Sequence, residues 1–253
     1  PPPFFLTPTR ANHIPLRLVG SEMCIRDRLS LPTSDVVSKV INSLGSTITN
    51  QHCFIDTTTG KPEEMIEVGE TLDRLGANYL EANIAGSSVL TKTGNATLFL
   101  GGEKGVINSQ QDLLNALTLK QFHLGPVGAA SKFKLVHNLI LGLNRAGLAE
   151  GLALAETLGF NPSEALVILN KTPAASLAME AKGDKMAMGK YTPPQAKLAQ
   201  HLKDVRIIRQ LADKVGAHTP LTNAHLSLLE KAESLGFGES DNAAIIEAFR
   251  HNL

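Results

Sequence analysis

Apolar and polar positions follow two different patterns along the chain, and the change from one to the other falls near Leu124. Before that point, short apolar runs of strand length alternate with segments of helical periodicity. Such alternation predicts a mostly parallel sheet whose strands are connected by crossover helices. After Gly125 the apolar spacing is helical throughout. The predicted fold class is therefore α/β, a sheet-containing part followed by an all-α part that a long helix opens.

The individual elements follow from these patterns together with turn and capping residues. The end of a buried strand is predicted at residues 29–32, and further strands at 53–55, 78–80, 97–100 and 121–123. Helices are predicted at residues 34–44, 62–75, 106–119, 127–158, 162–169, 193–215, 221–235 and 242–249, with one more beginning at 172. The start at Pro62 is typical, because proline suits a first helical position and Glu63 and Glu64 suit the first turn.

The longest predicted helix follows Gly125 and Gly128, which keep its start narrow. Lys134 and Asn138 are spaced i and i+4, so they share one face of a helix that is otherwise apolar on nearly every side and is expected to be buried. Burial lowers the pKa of a lysine and lets it exchange a proton near neutral pH. Lysines on helices are more often solvated. Both interpretations stay open here, and Lys132, on a different face, is the solvated control.

Composition excludes several classes of function. Lys+Arg and Asp+Glu both number 24, so the net charge is zero, which argues against a nucleic-acid or membrane-surface protein. Cys24 and Cys53 are too few for a disulfide framework or a zinc site, and the eight histidines show no paired metal spacing. No apolar run is long enough to span a bilayer. We expect a cytoplasmic globular protein without a metal.

Residues 1–28 differ from the rest of the chain, since they open with three prolines and show no strand or helix pattern. One interpretation is a targeting peptide, because Arg10 and Arg17 precede any acidic residue. We prefer another: residues 18–28 resemble translated sequencing-adapter sequence. Residues 1–28 are then an artefact or disordered, and the natural chain enters near Leu29 as an N-terminally truncated fragment.

Four segments in order resemble those of the β-hydroxyacid dehydrogenases, the family of 3-hydroxyisobutyrate dehydrogenase and the succinic semialdehyde and tartronate semialdehyde reductases. They are residues 31–34, 55–59, 125–138 and 202–205. The resemblance implies a partial Rossmann-type sheet and truncated dinucleotide-binding domain in residues 29–124. It implies a helical domain like that of 6-phosphogluconate dehydrogenase in residues 125–253.

The resemblance also implies a site for NAD or NADP at two strand ends. Leu31, Pro32 and Thr59 would contact the cofactor, and Lys203 would reach back to it. Judged from the residues alone, these positions suit either a cofactor or ordinary turns and caps, and both stay open. The family's Gly-x-Gly-x-x-Gly turn does not occur before Leu29. Its absence predicts weakened cofactor affinity and leaves the choice between NAD and NADP undecided.

For catalysis, the resemblance implies that Lys134 is the general acid or base and that Asn138 orients the lysine and the substrate. The substrate would be a small carboxylate held at Ala85, Gly86 and Ser87. This segment departs from the family, because Ala85 stands where a serine is usual and Ser87 where a second glycine is usual. His137 replaces the first of two paired asparagines, and we expect it to make packing or polar contacts.

The sequence therefore predicts an oxidoreductase that transfers hydride between NAD(P) and a small β-hydroxy acid or its semialdehyde. Two alternatives differ in class. One is a catalytically silent binding or assembly module on the same fold, against which Lys134, Asn138 and Lys203 count. The other is an imine-reductase-like relative, which normally lacks the lysine. The family's helical domain usually makes subunit contacts, so a homo-oligomer, dimer or tetramer, is expected.

Overall fold

A computed structural model describes residues 25–251. The targeting-peptide and adapter interpretations of residues 1–24 lie outside this range. Within it, five strands form one sheet in the order β1-β2-β3-β4-β5. The strands are β1 (Ile25–Leu29), β2 (His52–Asp56), β3 (Asn78–Ala85), β4 (Thr97–Gly101) and β5 (Gln121–His123). β1, β2 and β3 run parallel, β4 is antiparallel to β3, and β5 is parallel to β4. The predicted α/β fold with a mostly parallel sheet is confirmed.

The first strand corrects the prediction for residues 25–28. Residues 1–28 are predicted to show no strand pattern, yet β1 pairs in parallel with β2, from Ile25 opposite His52 to Leu29 opposite Asp56. The origin of these residues as an artefact stays a prediction. The segment Arg26-Asp-Arg28 is charged and largely solvent-accessible, so it carries no apolar alternation. Charged side chains on an outer strand are common. The strand ends at Leu29, so the predicted strand at 29–32 is also wrong in its extent.

The helices of the sheet-containing part are α1 (Ser34–Leu44), α2 (Pro62–Arg74), α3 (Ser88–Lys92), α4 (Lys104–Ser109) and α5 (Gln111–Leu117). Thr33 caps α1 by accepting from the Val36 amide at 3.3 Å. The single helix predicted at 106–119 is two helices that meet at Gln110, and α3 was not predicted. β3 is longer than predicted, because residues 81–85 continue the strand beyond Leu80.

The helical part contains α6 (Ala129–Thr157), α7 (Pro162–Leu169), α8 (Leu177–Met188), α9 (Leu198–Val215), α10 (Pro220–Ala232) and α11 (Glu247–Arg250). A 3₁₀ segment, Asn242–Ile246, precedes α11, so the helix predicted at 242–249 changes type midway. The helix predicted at 193–215 begins only at Leu198. α6 is central, because α7, α8, α9 and α10 all pack against it, and it also contacts β3 and β4.

Only one face of α6 is buried, which corrects the prediction that the whole helix is. Ala130, Leu135, Ala149 and Leu152 lie in the core. Four apolar side chains of the same helix are exposed, Phe133, Val136, Ile140 and Leu154. The helix thus carries an apolar surface that nothing in the described chain covers. Within residues 25–251, every helix is too short or too polar to cross a membrane.

Candidate active site

A buried carboxylate fixes the start of α6 to the sheet. Glu81, inside β3, accepts from the backbone amides of Gly128 at 2.7 Å and Ala130 at 3.2 Å, and from the Ser131 hydroxyl. Gly128 has a φ of 92° and no capping side chain, so Glu81 supplies the cap from another element. Burial raises the pKa of Glu81, and the hydrogen bonds from Ser131 and the helix amides oppose the rise. Glu81 thereby fixes the start of α6 and with it the position of Lys134 and Asn138, which lie one and two turns beyond Ala130.

Lys134 lies one turn beyond Ala130 and is buried, with 7% of its surface exposed. Burial lowers its pKa from 10.5 to about 8, and the negative charge of Asp204 partly offsets the fall. Lys132 is exposed, as expected of the control. The buried interpretation of Lys134 is therefore correct, while its catalytic role stays a prediction. An amine with a pKa near 8 can both take up and release a proton close to neutral pH.

Asn138 and Lys134 lie on the same buried face of α6, opposite Asp204 of α9. The Asn138 Nδ2 donates to Asp204 Oδ2 at 2.9 Å. The other oxygen of Asp204 lies 3.0 Å from the ammonium of Lys203. Burial raises the pKa of Asp204, and Lys203 and Lys134 lower it. One buried carboxylate therefore joins the Lys134 face of α6 to Lys203.

The structure brings the predicted cofactor residues together. The Lys203 amine donates to the carbonyl oxygens of Pro32 at 3.0 Å and Thr59 at 2.9 Å, which follow the neighbouring strands β1 and β2. Next to Pro32, the Leu31 amide donates to Thr58 Oγ1 at 3.0 Å, tying the two strand ends to each other. Leu31, Pro32, Thr59 and Lys203 thus form one cluster at the carboxyl edge of the sheet, the usual place for ligands in such folds.

Asp56 and Thr58 lie in segment 55–59 of the family resemblance, but their contacts with Tyr79 and Asn83 were not predicted from the sequence. Asp56 is buried and accepts from the Thr58 amide at 2.8 Å and the Tyr79 hydroxyl at 3.0 Å. Asn83 Nδ2 donates to the Thr58 carbonyl at 2.6 Å. Burial raises the pKa of Asp56, and the bonds from Thr58 and Tyr79 lower it. The polar residues Glu81 and Asn83 within a largely apolar strand were the available signal.

The predicted substrate residues lie at the end of β3. Ala85 packs with Phe99 and Ala130, the latter one turn before Lys134. Gly86 has a φ of 154°, and a Cβ there would approach the Cβ of Ala96 to 3.0 Å, so glycine is required. Ser87 caps α3 by accepting from the Leu90 amide at 3.3 Å. Within the described chain no hydrogen bond joins these residues to Lys134 or Asn138.

His137 makes both kinds of contact expected of it. Its ring meets Phe99 of β4 edge-on, with centroids 5.7 Å apart. Its Nδ1 lies 3.1 Å from Asn138 Oδ1. Burial and the nearby Lys134 lower the pKa of His137, and the hydrogen bond to Asn138 opposes the fall. The histidine therefore touches the same asparagine that binds Asp204.

A second polar cluster, deeper in the helical part, was not found from the sequence. Arg145 lies on the Lys134 face of α6, beside His201 of α9 and His225 of α10. The two imidazole rings are 5.2 Å apart, and a Cβ on Gly142 would collide with both. Burial lowers the pKa of Arg145 to about 10 and that of His225 to about 4. Within residues 25–251 no His, Cys, Asp and Glu side chains group in threes as a metal site requires.

Two family models match the chain in succession. Residues 26–125 match the NAD-binding domain of 6-phosphogluconate dehydrogenase. Residues 128–249 match the NAD-binding domain of NADP-dependent 3-hydroxyisobutyrate dehydrogenase. Together they define a protein with a dinucleotide-binding sheet and a dehydrogenase-type helical domain. The chain belongs to the β-hydroxyacid dehydrogenase family, whose cofactor is NAD or NADP.

Individual relatives span different shares of the chain. A cytokine-like nuclear factor N-PAC from Aedes aegypti is 31% identical over 76% of this chain, which covers only 34% of that protein. The chain thus spans about a third of the length of this relative. A 2-(hydroxymethyl)glutarate dehydrogenase from Eubacterium barkeri is 28% identical over 87% of this chain and 74% of its own length. A solved 3-hydroxyisobutyrate dehydrogenase from Salmonella typhimurium superposes with a TM-score of 0.82 at 21% identity, covering 88% of this chain and 78% of that chain, and shows the fold alone.

Proposed function

We propose that the chain is an oxidoreductase that transfers hydride between NAD(P) and a small β-hydroxy acid or its semialdehyde. The observation that carries the proposal is Lys134, a buried amine whose pKa is lowered to about 8, on the face of α6 that meets Asp204 and Lys203. Lys203 in turn reaches the two strand ends where a nucleotide cofactor of this family binds. Acid–base and cofactor groups are thereby adjacent.

The residues at the strand ends fit a dinucleotide. A cleft of about 340 Å³ opens beside them between α1, α2 and α9. Its lining includes three cationic side chains, Lys61, Lys203 and Arg206, and two carboxylates, Asp35 and Glu64. Each of these cations already pairs with a carboxylate: Lys61 with Glu64, Lys203 with Asp204 and Arg206 with Glu230. A ligand that carries phosphates would compete with these carboxylates for the cations. Leu31, Pro32 and Thr59 would hold the cofactor at the sheet edge, with Lys203 fixing the two loops on which they lie.

The residues of the chain itself accept and return the proton in this reaction. A nicotinamide cofactor held at Leu31, Pro32 and Thr59 would supply the hydride chemistry at the carbon that bears the alcohol. Lys134 takes the hydroxyl proton as the carbonyl forms, and gives it back in the reverse direction. Asn138 holds Asp204 next to this amine, and Asp204 raises the proton affinity of Lys134. Burial of the lysine face excludes water that would compete for the proton.

For the substrate we propose a small carboxylate at the end of β3. The backbone amides of Gly86 and Ser87 are candidates for binding it, and Ala85 leaves room that a serine would fill. Ala85 packs on Ala130, so this end of β3 lies beside the turn of α6 that precedes Lys134. The exposed apolar side chains Phe133, Val136 and Ile140 support a homo-oligomer built through α6.

We further propose that the cofactor-binding part ends at Leu124 and the helical part begins at Gly125. The two family models support this boundary, since one ends at 125 and the other begins at 128. The helical spacing of apolar residues after this point supports it too.

Nucleotide binding tests the proposed function. The protein is titrated with NADH and with NADPH while the nicotinamide fluorescence is followed. Saturable binding of either nucleotide is expected, and turnover is then assayed with 3-hydroxyisobutyrate, succinic semialdehyde and glyoxylate. Because weakened affinity is expected, the titration extends to millimolar nucleotide, and failure to bind either nucleotide even there would favour a catalytically silent binding module. Binding without turnover of any of these substrates would reject the proposed substrate class.

A further inference from the structure

His137, Asn138, Asp204 and Lys203 form a continuous series of polar contacts. His137 Nδ1 lies 3.1 Å from Asn138 Oδ1, and Asn138 Nδ2 lies 2.9 Å from Asp204 Oδ2. Asp204 Oδ1 lies 3.0 Å from the Lys203 ammonium, which holds the carbonyls of Pro32 and Thr59. The series begins on the exposed side of α6 and ends at the strand ends of the proposed cofactor site.

The direction of each hydrogen bond in this series is fixed by Asp204. An ionised carboxylate can only accept, so the Asn138 group that faces it must be the NH₂. Burial raises the pKa of Asp204, and the Lys203 ammonium 3.0 Å from its Oδ1 favours the ionised form. The Asn138 carbonyl oxygen therefore faces His137. A carbonyl oxygen only accepts, so the proton of a neutral His137 must lie on Nδ1.

His137 is held in the geometry that this bond needs. Its ring meets the edge of Phe99 with an interplanar angle of 64°, and Phe99 also meets Phe133 edge-on. The ring is half-buried, so it cannot rotate freely away from Asn138. Lys134, on the same helix, disfavours a charged imidazole.

We propose that His137 is a positioning residue of the active site and carries its proton on Nδ1. By donating to the Asn138 carbonyl oxygen, it holds the Asn138 amide in the orientation that places the NH₂ group on Asp204. The inference rests on the proposed function, because the orientation of the Asn138 amide affects catalysis only if Lys134 and Asn138 act on a substrate. With the hydrogen bond from His137 present, the Asn138 amide has one orientation, and Asp204 stays between Lys203 and the helix face that carries Lys134. Without it, the amide gains rotational freedom and the productive arrangement becomes one of several.

The tautomer is measured first, on the protein without cofactor. Long-range proton–nitrogen NMR at pH 8 shows which imidazole nitrogen carries the proton, and the signals absent from His137→Phe identify His137. The exposed His218 serves as an internal reference. A protonated Nδ1 with an unprotonated Nε2 is expected for His137. A proton on Nε2 overturns the proposal, whatever the activity of the protein.

Two substitutions then separate the hydrogen bond from packing. His137→Phe keeps a ring against Phe99 but cannot donate, and it should lower kcat by about three- to tenfold, the factor that one net hydrogen bond supplies, with KM changed by less than about twofold. His137→Asn keeps a donor and should restore kcat to within about twofold of the wild type. An equal loss of kcat in both variants overturns the donor role. A wild-type protein that turns over no substrate rejects the proposed function. The tautomer measurement then still shows whether His137 donates to Asn138.

Discussion

Asn138 Nδ2 donates a hydrogen bond of 2.9 Å to Asp204 Oδ2 and so joins the face of α6 that carries Lys134 to the face of α9 that carries Lys203. Both residues are buried, with 8% and 7% of their surfaces exposed. A charge-assisted bond in such surroundings is stronger than one between neutral groups in water. One carboxylate therefore connects the helix face that carries Lys134, the proposed acid–base residue, to Lys203, the proposed cofactor lysine.

Removing the charge of Asp204 should move the pH dependence of catalysis. In alcohol oxidation Lys134 must be neutral to accept the proton, so kcat/KM should rise with pH through about 8. Asp204 raises the pKa of Lys134. In Asp204→Asn the rise should therefore shift to lower pH, by about one unit or less for a partly compensated charge pair. A pH–rate profile of both proteins measures this. A shift to higher pH, or none, would show that Asp204 does not act on Lys134.

Replacing Lys203 by alanine should weaken nucleotide binding. The amine bridges the carbonyls of Pro32 and Thr59, and its loss leaves the two strand-end loops unconnected at this point. We expect an increase in Kd of about tenfold, the effect of one or two hydrogen bonds to a charged group. Calorimetric titration with NAD(P)H measures it. Lys214→Ala is the matched control, since Lys214 is an exposed lysine of the same helix that pairs with Glu63. Equal weakening in both variants would contradict a specific role of Lys203.

The buried charge of Lys134 should lower the free energy of unfolding at neutral pH. Its pKa is about 8 in the folded protein and 10.5 when unperturbed. Below pH 8 the lysine is charged in both the folded and the unfolded protein, so the destabilisation of the folded state by the buried charge is fully present. Between pH 8 and 10.5 the unfolded state binds more protons, so the cost is relieved as pH rises. Lys134→Met should be more stable by about 3 kcal/mol at pH 7, since the lowering of the pKa from 10.5 to about 8 corresponds to about 3.5 kcal/mol at about 1.4 kcal/mol per unit.

Urea unfolding of the wild type and Lys134→Met at pH 7 and pH 10.5 checks this expectation. The gap in the free energy of unfolding should narrow markedly at the higher pH. A gap that is independent of pH would mean that the difference comes from packing and that the folded pKa is not lowered.

Glu81→Ala should destabilise the start of α6. It leaves the Gly128 and Ala130 amides and the Ser131 hydroxyl without their acceptor in a buried place. A loss of about 3–5 kcal/mol is expected, because each buried unsatisfied group costs about 1–3 kcal/mol. Thermal or urea unfolding measures it. Glu150→Ala, at an exposed position of the same helix, should stay within about 0.5 kcal/mol of the wild type. A small effect of Glu81→Ala would mean that water replaces the carboxylate.

Local patterns were enough to predict much of this fold. The predicted strands 53–55 and 97–100 are short apolar or β-branched runs between turn residues, and each lies within an observed strand. The strand predicted at 121–123 matches β5, although only Phe122 is apolar there. The i, i+4 spacing of Lys134 and Asn138 predicted that they share a face of α6, but it did not decide whether that face is buried. The cluster of Leu31, Pro32, Thr59 and Lys203 could be predicted only through resemblance to a family, because contacts across more than a hundred positions leave no local signal.

Other features depend on tertiary contacts that a local pattern does not carry. Arg26-Asp-Arg28 forms a strand because β2 offers a partner, although its own residues are charged. Glu81 caps a helix that begins 47 positions later, a role that neither segment shows by itself. Arg145, His201 and His225 come from three helices, and each alone reads as an ordinary surface or core residue.

The most direct test of the central claim compares the turnover of Lys134→Ala and Lys132→Ala with NAD(P) and a small β-hydroxy acid or semialdehyde. The two lysines lie two positions apart on α6, one buried and one exposed. Loss of a general acid or base lowers the rate by about a hundredfold or more, so Lys134→Ala should lose at least that while Lys132→Ala stays near the wild type. Similar activity in the two variants would contradict the role of Lys134 as the acid–base residue.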